Sequence, residues 1–160
     1  MTPDRIRIYW DADVWLSYIN GITDRLPILD ALLADSGSPN GSIRLFTSEL
    51  TKVEVAYAKQ EQDQRILDSA VEERIDKLWE DRTAIQIVEY FDAIGREARQ
   101  YIRMSITRGW RLRSIDAIHL ATAKYIDAAE FQTYEERLRG YSNDVGFPVL
   151  LPHVLQGRML

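Results

Sequence analysis

Four acidic residues stand where apolar, strand-like segments give way to helices. If the strands are parallel, these positions converge on the edge of the sheet where ligands bind in α/β proteins. Carboxylates about 4 Å apart repel one another by roughly 4 kcal/mol at an effective dielectric near 20, so such a cluster needs a cation. All-oxygen ligands suit Mg²⁺ or Mn²⁺ better than Zn²⁺, and carboxylate-held Mg²⁺ serves phosphoryl transfer and phosphodiester hydrolysis. The expected metal ligands and catalytic residues are Asp11, Glu54, Asp116 and Glu135.

Three of these acids also have plain structural explanations. Asp is a preferred capping residue, so Asp11, or Asp13 two positions later, could simply cap the helix that follows the first strand. Asp116 could be a first-turn acid that complements the helix dipole. Glu135 could open a surface helix beside Glu136. These alternatives stay open at the level of the individual acids.

Glu54 is the acid that a purely structural explanation fits least well. The apolar stripe of its predicted helix, spaced i, i+3, i+4 and i+7 and expected to face the core, consists of Leu50, Val53, Glu54 and Tyr57. A buried, unpaired carboxylate is costly or takes up a proton. Glu54 therefore indicates function, unless it lies at the edge of the stripe and reaches water.

The helix around Asp116 is apolar on nearly all sides, which is typical of a buried helix. Its polar exceptions include Asp116 and His119, which are three residues apart and share a face. His119 is interpreted either as a packed, hydrogen-bonded histidine or as a partner of Asp116. We expect His119 and Asp13 to lie beside the metal ligands.

The composition is that of one globular domain over residues 1–160. Hydrophobic residues make up 46% of the chain, enough for a sizeable core, and the 28% of charged residues excludes a membrane-embedded protein. No cysteine is present, which excludes disulfides and thiolate metal sites. The amino-terminal segment lacks the pattern of a secretory signal, so we expect a cytoplasmic protein. The net charge of −5 argues against nonspecific nucleic-acid binding by the whole surface.

Strand and helix patterns alternate along the chain, which predicts an α/β fold with a mostly parallel sheet wrapped by helices. The predicted strands span residues 5–10, 43–46, 84–88, 131–134 and 148–151. The predicted helices span residues 13–20, 24–35, 49–62, 64–81, 91–107 and 114–128.

In combination, these motifs resemble the PIN-domain family of Mg²⁺- or Mn²⁺-dependent ribonucleases, in particular the VapC-type toxins. The resemblance covers nearly the whole chain and rests on IYWDADV, TSELTKVEV, LRSIDAIHLATA, FQTYEERL and the closing FPVLLP. It implies a three-layer α/β/α fold, metal bound by the four acids, and cleavage of RNA. In toxin members of the family a small antitoxin protein blocks the site. We also expect a homodimer and no membrane partner.

The chain departs from the family pattern at two positions. The family usually has Asp where Glu135 stands, and the longer glutamate could bind the metal differently or only through water. A small hydroxyl or amide residue is usual where Asp13 stands. Asp13 is therefore either an added ligand or only a helix cap.

Residues 96–113, hereafter the basic strip, contain six arginines and one acid, Glu97. Arginine forks match phosphate oxygens, and an indole ring can stack on a base. A solvated helix face, or a surface that binds an acidic antitoxin segment, would have the same composition. The residues expected to contact RNA or an antitoxin are Arg108, Trp110, Arg111 and Arg113.

Two other functions compete with the ribonuclease hypothesis. Asp11 and Asp13 after a first strand also resemble the opening of haloacid-dehalogenase-type phosphatases, in which they would be nucleophile and acid. That family needs a downstream lysine and a later acidic pair, for which the chain has no convincing match. The third hypothesis is a PIN-like domain that only binds RNA or protein.

Overall fold

A computed structural model describes residues 4–155, so residues 1–3 and 156–160 of the expected domain lie outside the described part. Its centre is a five-stranded sheet in the order β3-β2-β1-β4-β5, and every pair of neighbours is parallel. The predicted α/β class with a parallel central sheet is confirmed. The strands are β1 (Ile6–Trp10), β2 (Ile43–Ser48), β3 (Ile85–Val88), β4 (Glu130–Gln132) and β5 (Val149–Leu150).

Helices connect the strands and cover both faces of the sheet. Within the described residues, no helix is both long and apolar enough to cross a membrane. The helices are α1 (Ala12–Ile19), α2 (Leu26–Gly37), α3 (Thr51–Glu54), α4 (Lys59–Gln64), α5 (Ser69–Glu80), α6 (Asp92–Arg108), α7 (Ser114–Tyr125), α8 (Glu136–Arg139) and α9 (Ser142–Val145).

The alternation of side chains along β1 divides the interior into two cores. Trp10 packs on one face with Trp15 of α1, which in turn contacts Trp79 of α5. Tyr9 faces the other way, where it stacks on Phe131 of β4 and packs with α6 and α7. This arrangement is the expected α/β/α sandwich.

Buried hydrogen bonds fix the carboxyl end of β1 from both neighbouring strands. The Trp10 indole donates to Gln132 Oε1 of β4 at 2.7 Å. The hydroxyl of Thr47 in β2 donates to the Trp10 carbonyl at 2.8 Å. Because all three residues are buried, the chain segment that begins at residue 11 starts from a rigid position.

The helix predicted over residues 49–62 is wrong, because two short helices, α3 and α4, occupy this region. Val53 and Tyr57 are 75% and 42% exposed, whereas Val55 and Ala58 are buried. The interruption after Glu54 therefore brings a different pair of apolar residues into the core.

Glu61 of α4 determines how α4 is joined to α5. Its buried carboxylate accepts hydrogen bonds from the backbone N–H groups of Ala58, at 2.9 Å, and Asp68, at 2.8 Å. These bonds tie the start of α4 to the start of α5. Asp68 then caps α5 by accepting from the Ala70 N–H at 2.9 Å, so that helix begins at Ser69 rather than at residue 64.

Candidate active site

Asp11 lies at the carboxyl end of β1, next to the carboxyl end of β4. Trp10 and Gln132 are paired in the parallel register, which brings their successors Asp11 and Thr133 together. The Thr133 hydroxyl donates to Asp11 Oδ2 at 2.6 Å, and both residues are buried. Asp11 occupies the N-cap position of α1 without a side-chain capping hydrogen bond. Its other oxygen, Oδ1, is buried and has no hydrogen-bond partner among the described residues.

Asp13 lies on the same side of this junction and holds the segment that follows β4. Its Oδ1 accepts from the Tyr134 backbone N–H at 3.1 Å, and both of its oxygens are 3.3 Å from the Thr133 hydroxyl. Burial, and then the nearby charge of Asp13, raise the pKa of Asp11 well above its ordinary value. Two neighbouring carboxylates with an unpartnered buried oxygen form a donor set that suits a hard divalent cation.

Glu54 reaches the site from the end of α3, where it is bonded to His119. Glu54 Oε1 and His119 Nε2 are 2.5 Å apart, and His119 Nδ1 is 2.6 Å from the Tyr9 hydroxyl. Since a neutral imidazole donates from one nitrogen and accepts at the other, Tyr9 donates to Nδ1 when Nε2 donates to Glu54. The Glu54 side chain is 26% exposed, so it lies at the edge of the core. His119 is buried and hydrogen-bonded, and it contacts Glu54 rather than Asp116.

Asp116, in the first turn of α7, is surrounded by arginine donors. Its Oδ2 accepts from the Arg113 backbone N–H at 3.2 Å, from Arg113 Nε at 3.1 Å and from Arg137 Nη2 at 2.9 Å. Its Oδ1 accepts from Arg113 Nη2 at 3.2 Å. Burial alone would raise the pKa of Asp116, but the hydrogen bonds from the two arginines outweigh it and the pKa lies below its ordinary value.

Glu135 stands at the mouth of the site, at the N-cap position of α8. Its side chain is 42% exposed and its Oε1 lies 3.8 Å from Arg137 Nε. Its backbone N–H donates to the Thr133 hydroxyl at 3.0 Å. Thr133 and Arg137 therefore connect Asp11, Glu135 and Asp116, although neither was singled out from the sequence.

Each of the four predicted metal ligands contacts another side chain of the site. Asp11 contacts Thr133, Glu54 contacts His119, and Asp116 and Glu135 contact Arg137. Within residues 4–155, no three His, Cys, Asp or Glu side chains are arranged to hold one metal ion. The residues that come together are Asp11 and Asp13, while Glu54 is bonded to His119 and Asp116 to arginines. Metal binding by all four predicted acids stays a prediction.

Comparison with known families identifies the fold. The family model for the PIN domain matches residues 8–143, which is most of the chain. The chain belongs to the PIN domain family. Comparison with curated proteins finds no match.

Solved structures share the architecture of this PIN domain. FitAcB from Neisseria gonorrhoeae is 18% identical, with a TM-score of 0.60 over 91% of this chain and 97% of that one. VapBC-1 from nontypeable Haemophilus influenzae is 13% identical, with a TM-score of 0.63 over 90% and 96%. VapC20 from Mycobacterium tuberculosis is 16% identical, with a TM-score of 0.58 over 81% and 90%. At these identities the likeness concerns the fold alone.

The basic strip of this PIN domain is partly neutralised by its own chain. Arg108 pairs with Asp144, and Arg113 pairs with Asp116. Trp110 stacks on Tyr141, with ring centroids 4.5 Å apart, and the Tyr141 hydroxyl accepts from the Arg111 N–H at 3.0 Å. One face of the indole is therefore already covered. The Arg111 side chain is exposed and forms no salt bridge within residues 4–155.

A groove of about 610 Å³ leads from the basic strip to Glu135. Apolar side chains of α6 form part of its wall, and Trp110 and Leu112 continue it. Glu135 and Arg137 lie in the same lining. A chain bound in this groove would therefore contact both the strip and the mouth of the site.

We predict that Asp11→Asn stabilises the metal-free PIN domain at pH 7. Because the pKa of Asp11 is raised in the folded state, the free energy of unfolding falls as pH rises from the ordinary carboxyl pKa through the raised one. Asn cannot ionise, and it keeps an oxygen that accepts from Thr133. For a chain of this size, each kcal/mol gained raises Tm by about 2–4 °C. Thermal melts in EDTA at pH 4 and pH 7 measure the effect.

The gain should shrink at pH 4, where Asp11 of the parent chain is largely protonated. Asp63→Asn, at an exposed position in α4, is the matched control and should leave both melts unchanged. A variant less stable than the parent at pH 7 would mean that the Asp11 charge is compensated in the folded chain.

Proposed function

We propose that this PIN domain is a Mg²⁺- or Mn²⁺-dependent endoribonuclease and the toxin of a toxin–antitoxin pair. The observation that carries the proposal is the buried Asp11 beside Asp13 at the carboxyl edge of the sheet, where Asp11 Oδ1 has no hydrogen-bond partner within residues 4–155. Membership of the PIN domain family supports it, as does the acidic character of the site. One solved relative, VapC20, is described as a sarcin-ricin loop cleaving toxin, and others are toxin–antitoxin complexes.

The residues present fit a divalent cation at Asp11 and Asp13, with Glu54, Asp116 and Glu135 as the further expected ligands. A bound cation would activate water and neutralise charge on the phosphodiester in the transition state. The Thr133 hydroxyl orients Asp11, and His119 orients Glu54. Arg111 would bind an RNA phosphate at the groove, which is how arginine positions nucleic acid without reading sequence.

Partners follow from the same proposal. A small antitoxin would bind over the groove and the acids and so exclude RNA. RNA as the substrate and a homodimer as the assembly stay predictions. The phosphatase alternative predicts hydrolysis of para-nitrophenyl phosphate. Each cleavage assay should therefore test this substrate as well as labelled RNA.

Mn²⁺ should raise the thermal stability of the parent chain. A ligand that binds only the folded state, at about 100 times its dissociation constant, adds roughly 2.7 kcal/mol. Melts in EDTA and in millimolar Mn²⁺ should therefore differ for the parent and converge for Asp11→Asn, which loses the ligand charge. Identical melts of the parent across saturating Mn²⁺ would count heavily against the metal site.

Single-turnover cleavage of a labelled RNA at saturating Mn²⁺ ranks the acids. Asp116→Asn should slow cleavage by about 100-fold or more, and Glu135→Gln by about 10-fold or less, because the exposed Glu135 side chain is the more weakly held ligand. Glu135→Asp should be tolerated, since it restores the usual residue of the family. Each variant must first be shown to fold, and Asp63→Asn is the charge-matched control. Parent-like cleavage by Asp116→Asn would refute the metal-nuclease hypothesis.

Removal of two cations of the basic strip, Arg111 and the Asp144-paired Arg108, should weaken RNA binding while Mn²⁺ binding persists. The double variant Arg108→Ala with Arg111→Ala spares Arg113, which is engaged at Asp116. The slope of log affinity against log salt for single-stranded RNA should become shallower by about 0.7 for each phosphate that is no longer neutralised. Arg44→Ala, exposed in the amino-terminal half of β2, controls for the loss of one positive charge elsewhere on the surface. An unchanged slope would assign the strip to a protein partner or to solubility.

A further inference from the structure

Asp11 and Asp116 differ in how many of their carboxylate oxygens accept hydrogen bonds. A short series of contacts nevertheless connects the two residues. The Thr133 hydroxyl contacts Asp11 and accepts from the Glu135 N–H. Glu135 lies beside Arg137, which donates to Asp116. One Asp11 oxygen has no partner among the described residues, whereas both Asp116 oxygens are in use.

Arginine donors engage both oxygens of Asp116. A carboxylate offers about four lone-pair sites over its two oxygens. Asp116 receives four N–H contacts, three from Arg113 and one from Arg137. Three of these contacts converge on Oδ2 and one is on Oδ1. A cation that binds Asp116 through Oδ2 must therefore displace a donor, and one that binds through Oδ1 must lie beside the Arg113 guanidinium.

Arg137 is the better anchored of the two arginines. Its side chain is 23% exposed, against 69% for Arg113. Besides Asp116 it donates to the Arg111 carbonyl, and it lies 3.8 Å from Glu135. Its guanidinium thus holds together the loop after α6, the first turn of α7 and the start of α8.

We propose that Arg113 and Arg137 form an internal counter-ion that competes with the divalent cation for Asp116, so that Arg137 lowers the metal affinity of the site. The inference rests on the proposed function, because it assumes that Asp116 is a metal ligand. In the metal-free chain, the two guanidinium groups supply the positive charge beside Asp116. The expected metal ligands then fall into two groups. Asp11 and Asp13 have no arginine partner within residues 4–155, whereas Asp116 is paired with two arginines.

If the same contacts had a different role, removal of Arg137 would change the metal affinity in the opposite direction. If Arg137 served only to orient Asp116 toward the metal, its removal would weaken metal binding, as the loss of an orienting partner does. If Arg137 competes with the metal, its removal strengthens binding. The direction of the change in affinity therefore separates the two roles, and no cleavage assay is required.

The experiment is calorimetric titration of the full chain with Mn²⁺, paired with thermal melts in EDTA. Arg137→Gln should bind Mn²⁺ about tenfold more tightly than the parent, within the usual range of coupling between two sites. The same variant should melt at a lower temperature in EDTA, because Asp116 loses a buried partner. Arg113→Gln, at an exposed side chain that is less critical for folding, should also bind Mn²⁺ more tightly.

Arg103→Gln, exposed on α6, removes the same charge outside the site and should leave the Mn²⁺ affinity close to that of the parent. If Arg137→Gln fails to fold, Arg113→Gln decides the question alone. Weaker or unchanged Mn²⁺ binding by the folded variants would overturn the competition. A parent chain that binds no Mn²⁺ in the same titration would instead overturn the proposed metal use, which is a separate failure.

Discussion

The arrangement of the site depends on one buried hydroxyl, that of Thr133. It has a single proton to donate and three carboxylate oxygens within 3.3 Å. The closest of them, Asp11 Oδ2 at 2.6 Å, receives it, and Asp13 is held instead by the Tyr134 N–H. Within residues 4–155, Asp11 Oδ1 is left without a hydrogen-bond partner beside the Asp13 carboxylate. A protein builds such a position at a cost in stability, which is typical of functional sites.

The pKa values of two aspartates in the site, Asp11 and Asp116, are shifted in opposite directions. Asp11 has a raised pKa because of burial and the charge of Asp13, whereas Asp116 has a lowered pKa because the hydrogen bonds from Arg113 and Arg137 outweigh its burial. The difference follows from where the arginines lie along the chain. Arg113 immediately precedes α7, and Arg137 lies in α8, so both reach Asp116.

Much of the fold could be predicted from the sequence, because strand patterns and turn residues are local signals. The order of strands and helices, and the position of Asp11 after β1, required no knowledge of distant contacts. The region from residue 49 to residue 68 could not be predicted in this way. There the buried Glu61 carboxylate binds two backbone N–H groups and interrupts a helical pattern, and nothing in the pattern marks that glutamate as buried.

The side chains that contact the site acids also could not be predicted from sequence patterns. One interpretation of His119 makes it a partner of Asp116, with which it shares a helix face, but its ring contacts Glu54, 65 residues away. Arg137 and Thr133 act through contacts across more than 20 residues of chain. Thr133 alone carried a local signal, since it follows directly after a strand, as Asp11 does. Long-range side-chain pairing decides which acids remain free for a ligand.

The parallel pairing of β1 with β4 has a consequence for the timing of synthesis. The Asp11–Thr133 hydrogen bond joins residues 122 positions apart, and at about 5–20 residues per second a ribosome needs about 6–24 s to add that length of chain. A nascent chain that ends before β4 therefore has Asp11 without the hydroxyl and without the Tyr134 N–H that hold the acidic pair. The acidic edge is assembled only after most of the chain has been made, and a truncated translation product would lack it.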